Sequence, residues 1–176
     1  MTRKAFENAV IVASAIGGSS NCTTHLSAIA KHMGIKFDLS NWQKLGHEIP
    51  LLVNCQPAGE YLMESFYRAG GVPAVMQELI KHKKIHTKIM TVSGKTVGNN
   101  LKRKIETDKK VIKPFEDCLT EKAGFLVMKS NFFKSAIMKT SVISKDFRER
   151  YLSNPKQPNA FVGKAVVFEG PEDYHK

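Results

Sequence analysis

The chain has 176 residues, a formal charge of +11 and 42% hydrophobic residues. That is enough for one domain with a real core, or for two small half-domains, and no apolar stretch is long enough to cross a bilayer. The first residues, Met1-Thr-Arg-Lys-Ala-Phe-Glu-Asn-Ala9, lack a signal-peptide core and cleavage site, which makes a cytoplasmic location the expectation.

The basic excess points to anionic partners, but its distribution argues against nucleic acid. Its densest run is Lys102-Arg103-Lys104, followed by Lys109, Lys110 and Lys113, with no aromatic residue inside the run to stack on bases. A solvated loop is the simpler reading. Cys22, Cys55 and Cys118 are far apart and form no C-x-x-C pair, so neither a compact zinc site nor a disulfide framework is expected.

In chain order, Thr2 can cap a first helix, with Phe6, Ala9, Val10, Ala13 and Ile16 at helical spacing. Gly17-Gly18 lets the backbone turn where this apolar run ends. Ser19, Ser20 and Asn21 offer side-chain oxygens at the start of a second helix, whose Leu26, Ile29, Ala30 and Met33 form an apolar face. A polar helix N-terminus of this kind suits an anionic ligand, and Ser19, Ser20 and Asn21 are the substrate-binding candidates. A third helix is expected over Phe37–Leu45, with Asp38 as cap and Gly46 as stop. Ile49-Pro-Leu-Leu-Val53 reads as a short buried strand. A helix through Tyr61–Ala69 breaks at Gly70-Gly71, and Pro73 restarts one with Val75, Met76, Leu79 and Ile80 on its apolar face.

Thr91-Val-Ser-Gly-Lys-Thr96 contains Gly-Lys-Thr, but a phosphate loop needs a glycine at the place of Ile89. Residues 99–120 are polar and read as a linker. Beyond them, Phe125–Met128, Ala136–Met138 and Ala165–Phe168 read as strands, with a short helix over Lys145–Leu152 and a turn-rich loop over Asn154–Asn159. Phe6, Val10, Leu26 and Ile29 are expected to anchor a first core, and Leu126, Ile137, Val166 and Phe168 a second. Gly170-Pro-Glu-Asp173 has the form of a helix start at the chain's end, so the chain is expected to be a piece of a longer protein.

With these residues in view, the chain resembles the dihydroxy-acid dehydratase / phosphogluconate dehydratase family. The resemblance is carried by Ala15-Ile-Gly-Gly-Ser-Ser-Asn21 with His25-Leu26, by Ile49-Pro-Leu-Leu52, Pro57-x-Gly59 and Tyr61-x-Met63, by Arg68-Ala-Gly-Gly-Val-Pro-Ala-Val-Met76, and by Thr91–Thr96. Lys129-Ser-Asn-Phe-Phe133, Ala136–Ser144, Phe147–Leu152 and Ala165–His175 resemble the sugar-acid branch, which dehydrates aldonates such as xylonate or arabinonate to 2-keto-3-deoxy acids.

The resemblance implies an α/β fold: the end of a helical α/β N-terminal domain (1–98), a linker (99–120), and the start of a β-rich, barrel-like C-terminal domain (121–176). It implies an iron–sulfur cluster acting as Lewis acid, a magnesium ion and a serine base. The family's positions for these fall outside the matched stretch, so no catalytic residue and no metal ligand is expected in this chain. Cys22, Cys55 and Cys118 match no cluster ligand, and Ser20 stands where the family has Thr. The expected function is therefore part of an aldonate hydro-lyase, inactive alone, acting on a small sugar acid, with no nucleic-acid or membrane partner and with the full-length enzyme a homo-oligomer. The alternatives are part of a branched-chain dihydroxy-acid dehydratase, a non-catalytic binding or scaffold module, and one half of an enzyme completed by a separate chain.

Overall fold

The structure is a computed structural model and describes residues 1–151, 153–156 and 163–175. It is a mixed α/β arrangement of helices α1 (Arg3–Ala15), α2 (Asn21–His32), α3 (Leu39–Gly46), α4 (Met63–Arg68), α5 (Gly71–Lys81) and α6 (Val97–Asn100), then strands β1 (Phe125–Met128) and β2 (Ala136–Lys139), then α7 (Lys145–Tyr151). By its internal contacts the chain divides into two compact units, Met1–Val142 and Ile143–Lys176.

In the first unit, α1 separates two apolar clusters, because its apolar residues occupy more than one face. Ile11 and Ala15 join Leu52, Val53, Phe66, Val75 and Leu79. Phe6, Val10 and Ala13 join Phe37, Trp42 and Phe125. Leu26 packs beside the second cluster, whereas Ile29 is 43% exposed. Asp38 caps α3 as expected, its carboxylate accepting the Ser40 N–H at 2.9 Å. The Ser40 hydroxyl, which also donates to this carboxylate, and then the backbone N–H hold the Asp38 carboxyl below its ordinary range. Thr2 stands at the α1 N-cap without a side-chain cap bond. Pro73 enters α5 two residues after its start rather than at the first position.

The segment from Ile49 to Cys55 is extended and buried, as its apolar run suggested, but it pairs through isolated bridges rather than a continuous strand. Cys55 bridges to the nearby Tyr61, but the partners of Leu51 and Val53 come from the stretch read as a linker. The Leu51 N–H donates to the Thr120 carbonyl at 2.9 Å, and the Lys113 N–H donates to the Leu52 carbonyl at 2.7 Å. Val111 and Ile112 are buried in the first cluster. Polar composition hid this from the sequence. Lysines surround two apolar residues that a short bridge can bury while every ammonium stays outside. Residues 99–120 therefore belong to the first compact unit.

The β1–β2 hairpin is antiparallel, with Phe125 opposite Lys139 and Val127 opposite Ile137. It docks on α3. The Trp42 and Phe125 rings meet edge to face at 5.0 Å, and the Val127 N–H donates to Gln43 Oε1 at 2.6 Å. Leu126 and Ile137 thus lie beside the α1–α3 core rather than in a second one. A tight turn, Thr140–Val142, follows β2, and the Thr140 hydroxyl donates to the Gly124 carbonyl at 2.6 Å.

In the second unit, α7 carries Phe147 against Tyr151 at 4.8 Å, and residues Pro171–His175 form a 3-10 turn at the expected helix start. Residues Ala165–Phe168 form no strand, and Val166 and Phe168 are 74% and 49% exposed, which removes them from any core. β-branched composition raises strand propensity, but a strand needs a packed neighbour. Leu152, the expected end of the helix over 145–152, and residues 157–159 of the turn-rich loop lie outside the described residues.

Candidate functional site: a cavity at the glycine corner

Between α1 and α2 the chain reverses at Gly17, whose φ is +64°. A side chain there would be strained, and a Cβ would sit 2.9 Å from Leu51 Cδ1. The glycine lets the corner close onto the buried extended segment. On the outer side of this corner lies a cavity of about 440 Å³. Its walls are the corner itself (Gly17, Gly18, Ser19, Ser20), the Cys55–Pro57 bend, Met63 and Phe66 of α4, and Lys139 and Val142 from the far end of the hairpin.

Ser19 and Ser20 thus reach the cavity, while Asn21 is exposed and stands outside its lining. Ser19 Oγ accepts the Asn21 N–H at 3.2 Å, and the Ser20 carbonyl accepts the Thr23 hydroxyl at 2.7 Å. The serines therefore open α2 while their hydroxyls remain able to donate outward.

The residue that sequence reasoning missed is Lys139. It follows Ile137 by two positions and stands opposite Phe125, so it shares the inward face of the hairpin with both. Phe125 is buried and Ile137 packs against the core, whereas Lys139 is half-buried. Burial pushes its ammonium below the usual lysine range, partly offset by the nearby Cys22 thiol. Its register two residues beyond a core isoleucine was the available signal. Beside it, Ser141 Oγ is buried with no hydrogen-bond partner among the described residues, and lies on the Gly17 side of the turn.

A larger cavity of about 740 Å³ lies between α5 and residues 104–116. Several of its charged side chains, Glu78, Lys81, His82, Lys113 and Glu116, are engaged in ion pairs, while Lys104, Glu106 and Lys109 line it as well. Lys81 Nζ is 2.5 Å from Glu78 Oε2, His82 Nε2 is 3.2 Å from Glu116 Oε1, and Lys113 Nζ is 3.3 Å from Asp117 Oδ2. The His82 ring also stacks on Phe115 at 4.3 Å. The corner cavity differs in having mostly apolar walls with a few polar side chains and a single lysine, the usual make-up of a small-molecule site.

The model of the dihydroxy-acid/6-phosphogluconate dehydratase N-terminal region matches residues 1–100. Curated relatives match beyond that limit. The D-xylonate dehydratase of Caulobacter vibrioides is 49% identical over 176 residues, covering 100% of this chain and 29% of the relative. The chain belongs to the dihydroxy-acid/6-phosphogluconate dehydratase family. The L-arabinonate dehydratase of Rhizobium leguminosarum bv. trifolii is 40% identical, covering 99% of this chain and 28% of the relative. The dihydroxy-acid dehydratase of Caldicellulosiruptor saccharolyticus is 38% identical, covering 98% and 30%. The chain thus spans less than a third of the length of these relatives.

The cofactors that the family resemblance implies do not fit the residues of this chain. A cluster needs converging thiolates. Cys55 and Cys118 are instead pushed up by burial, Cys118 further by Glu121, and the Cys55 thiol lies 3.6 Å from the Leu62 carbonyl as a donor. Among the described residues, the one group of three or more candidate metal-binding side chains is Glu78, His82 and Glu116, without any cysteine. That set mixes an imidazole with carboxylates, one of them held by Lys81, whereas magnesium prefers an all-oxygen shell. Neither an iron–sulfur cluster nor magnesium is assigned to this chain. No helix among the described residues is long and apolar enough to cross a membrane.

Proposed function

We propose that the chain is part of a sugar-acid hydro-lyase, which removes water from an aldonate of the xylonate or arabinonate type to give a 2-keto-3-deoxy acid. The observation that carries this reading is the 49% identity to a D-xylonate dehydratase along the whole chain, through the hairpin that supplies Lys139 and Val142 to the corner cavity. In this reading Ser19 and Ser20 face the polyol chain of the substrate from the cavity wall, and Asn21 supports the corner from outside. Residues 1–98 form the end of the enzyme's N-terminal α/β domain, and 121–176 begin its β-rich, barrel-like C-terminal domain. The iron–sulfur cluster, the magnesium ion and the base come from polypeptide other than this chain. Loss of a hydroxyl β to a carboxylate needs an acid for the leaving oxygen and a base for the α-proton. This chain's part is to bind and orient. The enzyme works in the cytoplasm as a homo-oligomer.

A chimera tests the reading. The matching segment of the Caulobacter D-xylonate dehydratase is exchanged for these 176 residues, and turnover of D-xylonate and L-arabinonate is measured after anaerobic cluster loading. The chimera should dehydrate at least one aldonate, whereas the chain by itself should not. A folded, cluster-loaded chimera without turnover on any aldonate would overturn the assignment.

A further inference from the structure

Lys139 is a cation on the inward face of a strand, and among the described residues no carboxylate forms an ion pair with it. Most half-buried lysines lie along apolar surface with the head in bulk water. This one lines a cavity whose other polar side chains are Ser19, Ser20 and Gln56, with the Cys55 thiol. Close to it in the chain, though outside the cavity's lining, Ser141 is 7% exposed, and its hydroxyl has no hydrogen-bond partner among the described residues. Buried hydroxyls are seldom left without a hydrogen bond. A cation with no ion-pair partner among the described residues, set in this cavity beside two serine hydroxyls, leaves a charge for a ligand to balance. α2 adds the positive end of its dipole, since its first residue is Asn21.

We propose that the corner cavity is a carboxylate site, in which Lys139 Nζ is the counter-ion of a small hydroxy acid and the Ser19 and Ser20 hydroxyls bind its hydroxyl-bearing carbons. The choice of a sugar acid rests on the function proposed above; the choice of an anion rests on Lys139 alone. Lys139 enters as a binding residue that sets charge selectivity, and it takes no part in bond breaking. The apolar walls, Val53, Met63 and Phe66 among them, strengthen the ion pair by excluding water.

The test reads the reactivity of individual lysines. The full 176-residue chain is acetylated with an amine-reactive ester, alone and with D-xylonate, glycolate or xylitol. Acetylation at Lys139 is compared by peptide mass spectrometry with that at exposed Lys102 and Lys129. D-Xylonate should slow acetylation of Lys139 several-fold and leave the other two unchanged. Glycolate, a carboxylate without the polyol chain, should protect more weakly, and neutral xylitol not at all. In calorimetry, a Lys139→Gln variant with an unchanged circular dichroism spectrum should lose xylonate binding, and Lys139→Arg should retain it. Equal protection by xylitol, or none at Lys139 by either acid, would overturn the proposal. Because no turnover is measured, an inactive chimera would remove the hydro-lyase reading without touching this one.

Discussion

Glu78 illustrates how one side chain ties two segments together. Burial alone would raise its carboxyl, but Lys81, the Phe115 N–H at 3.0 Å and His82 outweigh burial and hold it below the ordinary glutamate range. A carboxyl depressed in the folded state contributes stability above its unfolded pKa and loses it as the pH falls through the folded value. Glu78→Gln keeps an oxygen for the Phe115 amide and removes only the charge. It should cost about 1–2 kcal/mol at neutral pH, and its gap from the parent should close below about pH 4. Thermal unfolding at several pH values checks this, and an equal gap at acid and neutral pH would contradict it. His82 and Glu116 lie 34 positions apart in the chain and share no motif: side chains brought together only by tertiary contact leave no local pattern, and for Lys139 the strand register hinted at an inward face but not at the cavity it meets.

The elements were legible where periodicity was strong. α1, α3 and α5 follow their apolar spacing, and β1 and β2 coincide with their short apolar runs. What the sequence hid was pairing. Val111 and Ile112 looked like interruptions in a basic linker, and only the extended segment around Val53 gives them a place. Conversely, Ala165–Phe168 has the composition of a strand and forms none. The docking of the hairpin on α3 depends on a close approach that a sequence cannot display. A Cβ on Gly124 would overlap the Gly46 carbonyl at the end of α3. Gly124→Ala should therefore push the hairpin away and cost about 1–3 kcal/mol or more, the range for overpacking. Denaturant unfolding should show the loss, together with increased exposure of Trp42 in its fluorescence. Unchanged stability would mean that the hairpin does not need this contact.

At the scale of the whole molecule, the family was legible from the motif order, and the site only in part. The glycine corner announced itself through Gly17, Gly18 and the two serines. Its opposite wall could not be read, because Lys139 and Val142 arrive from more than a hundred residues away through a hairpin whose docking rests on Trp42, Gln43 and Gly124. The central claim is that these distant pieces form one ligand site, and that the larger, more highly charged cavity beside α5 is not the one used. Titrating D-xylonate into the isotope-labelled chain and following its amide resonances tests this most directly. The account predicts shifts at Gly17, Gly18, Ser19 and Ser20 together with Lys139, Thr140 and Val142. Shifts confined to Gln77, Lys81, Ile105 and Lys113, with the glycine corner unmoved, would contradict it.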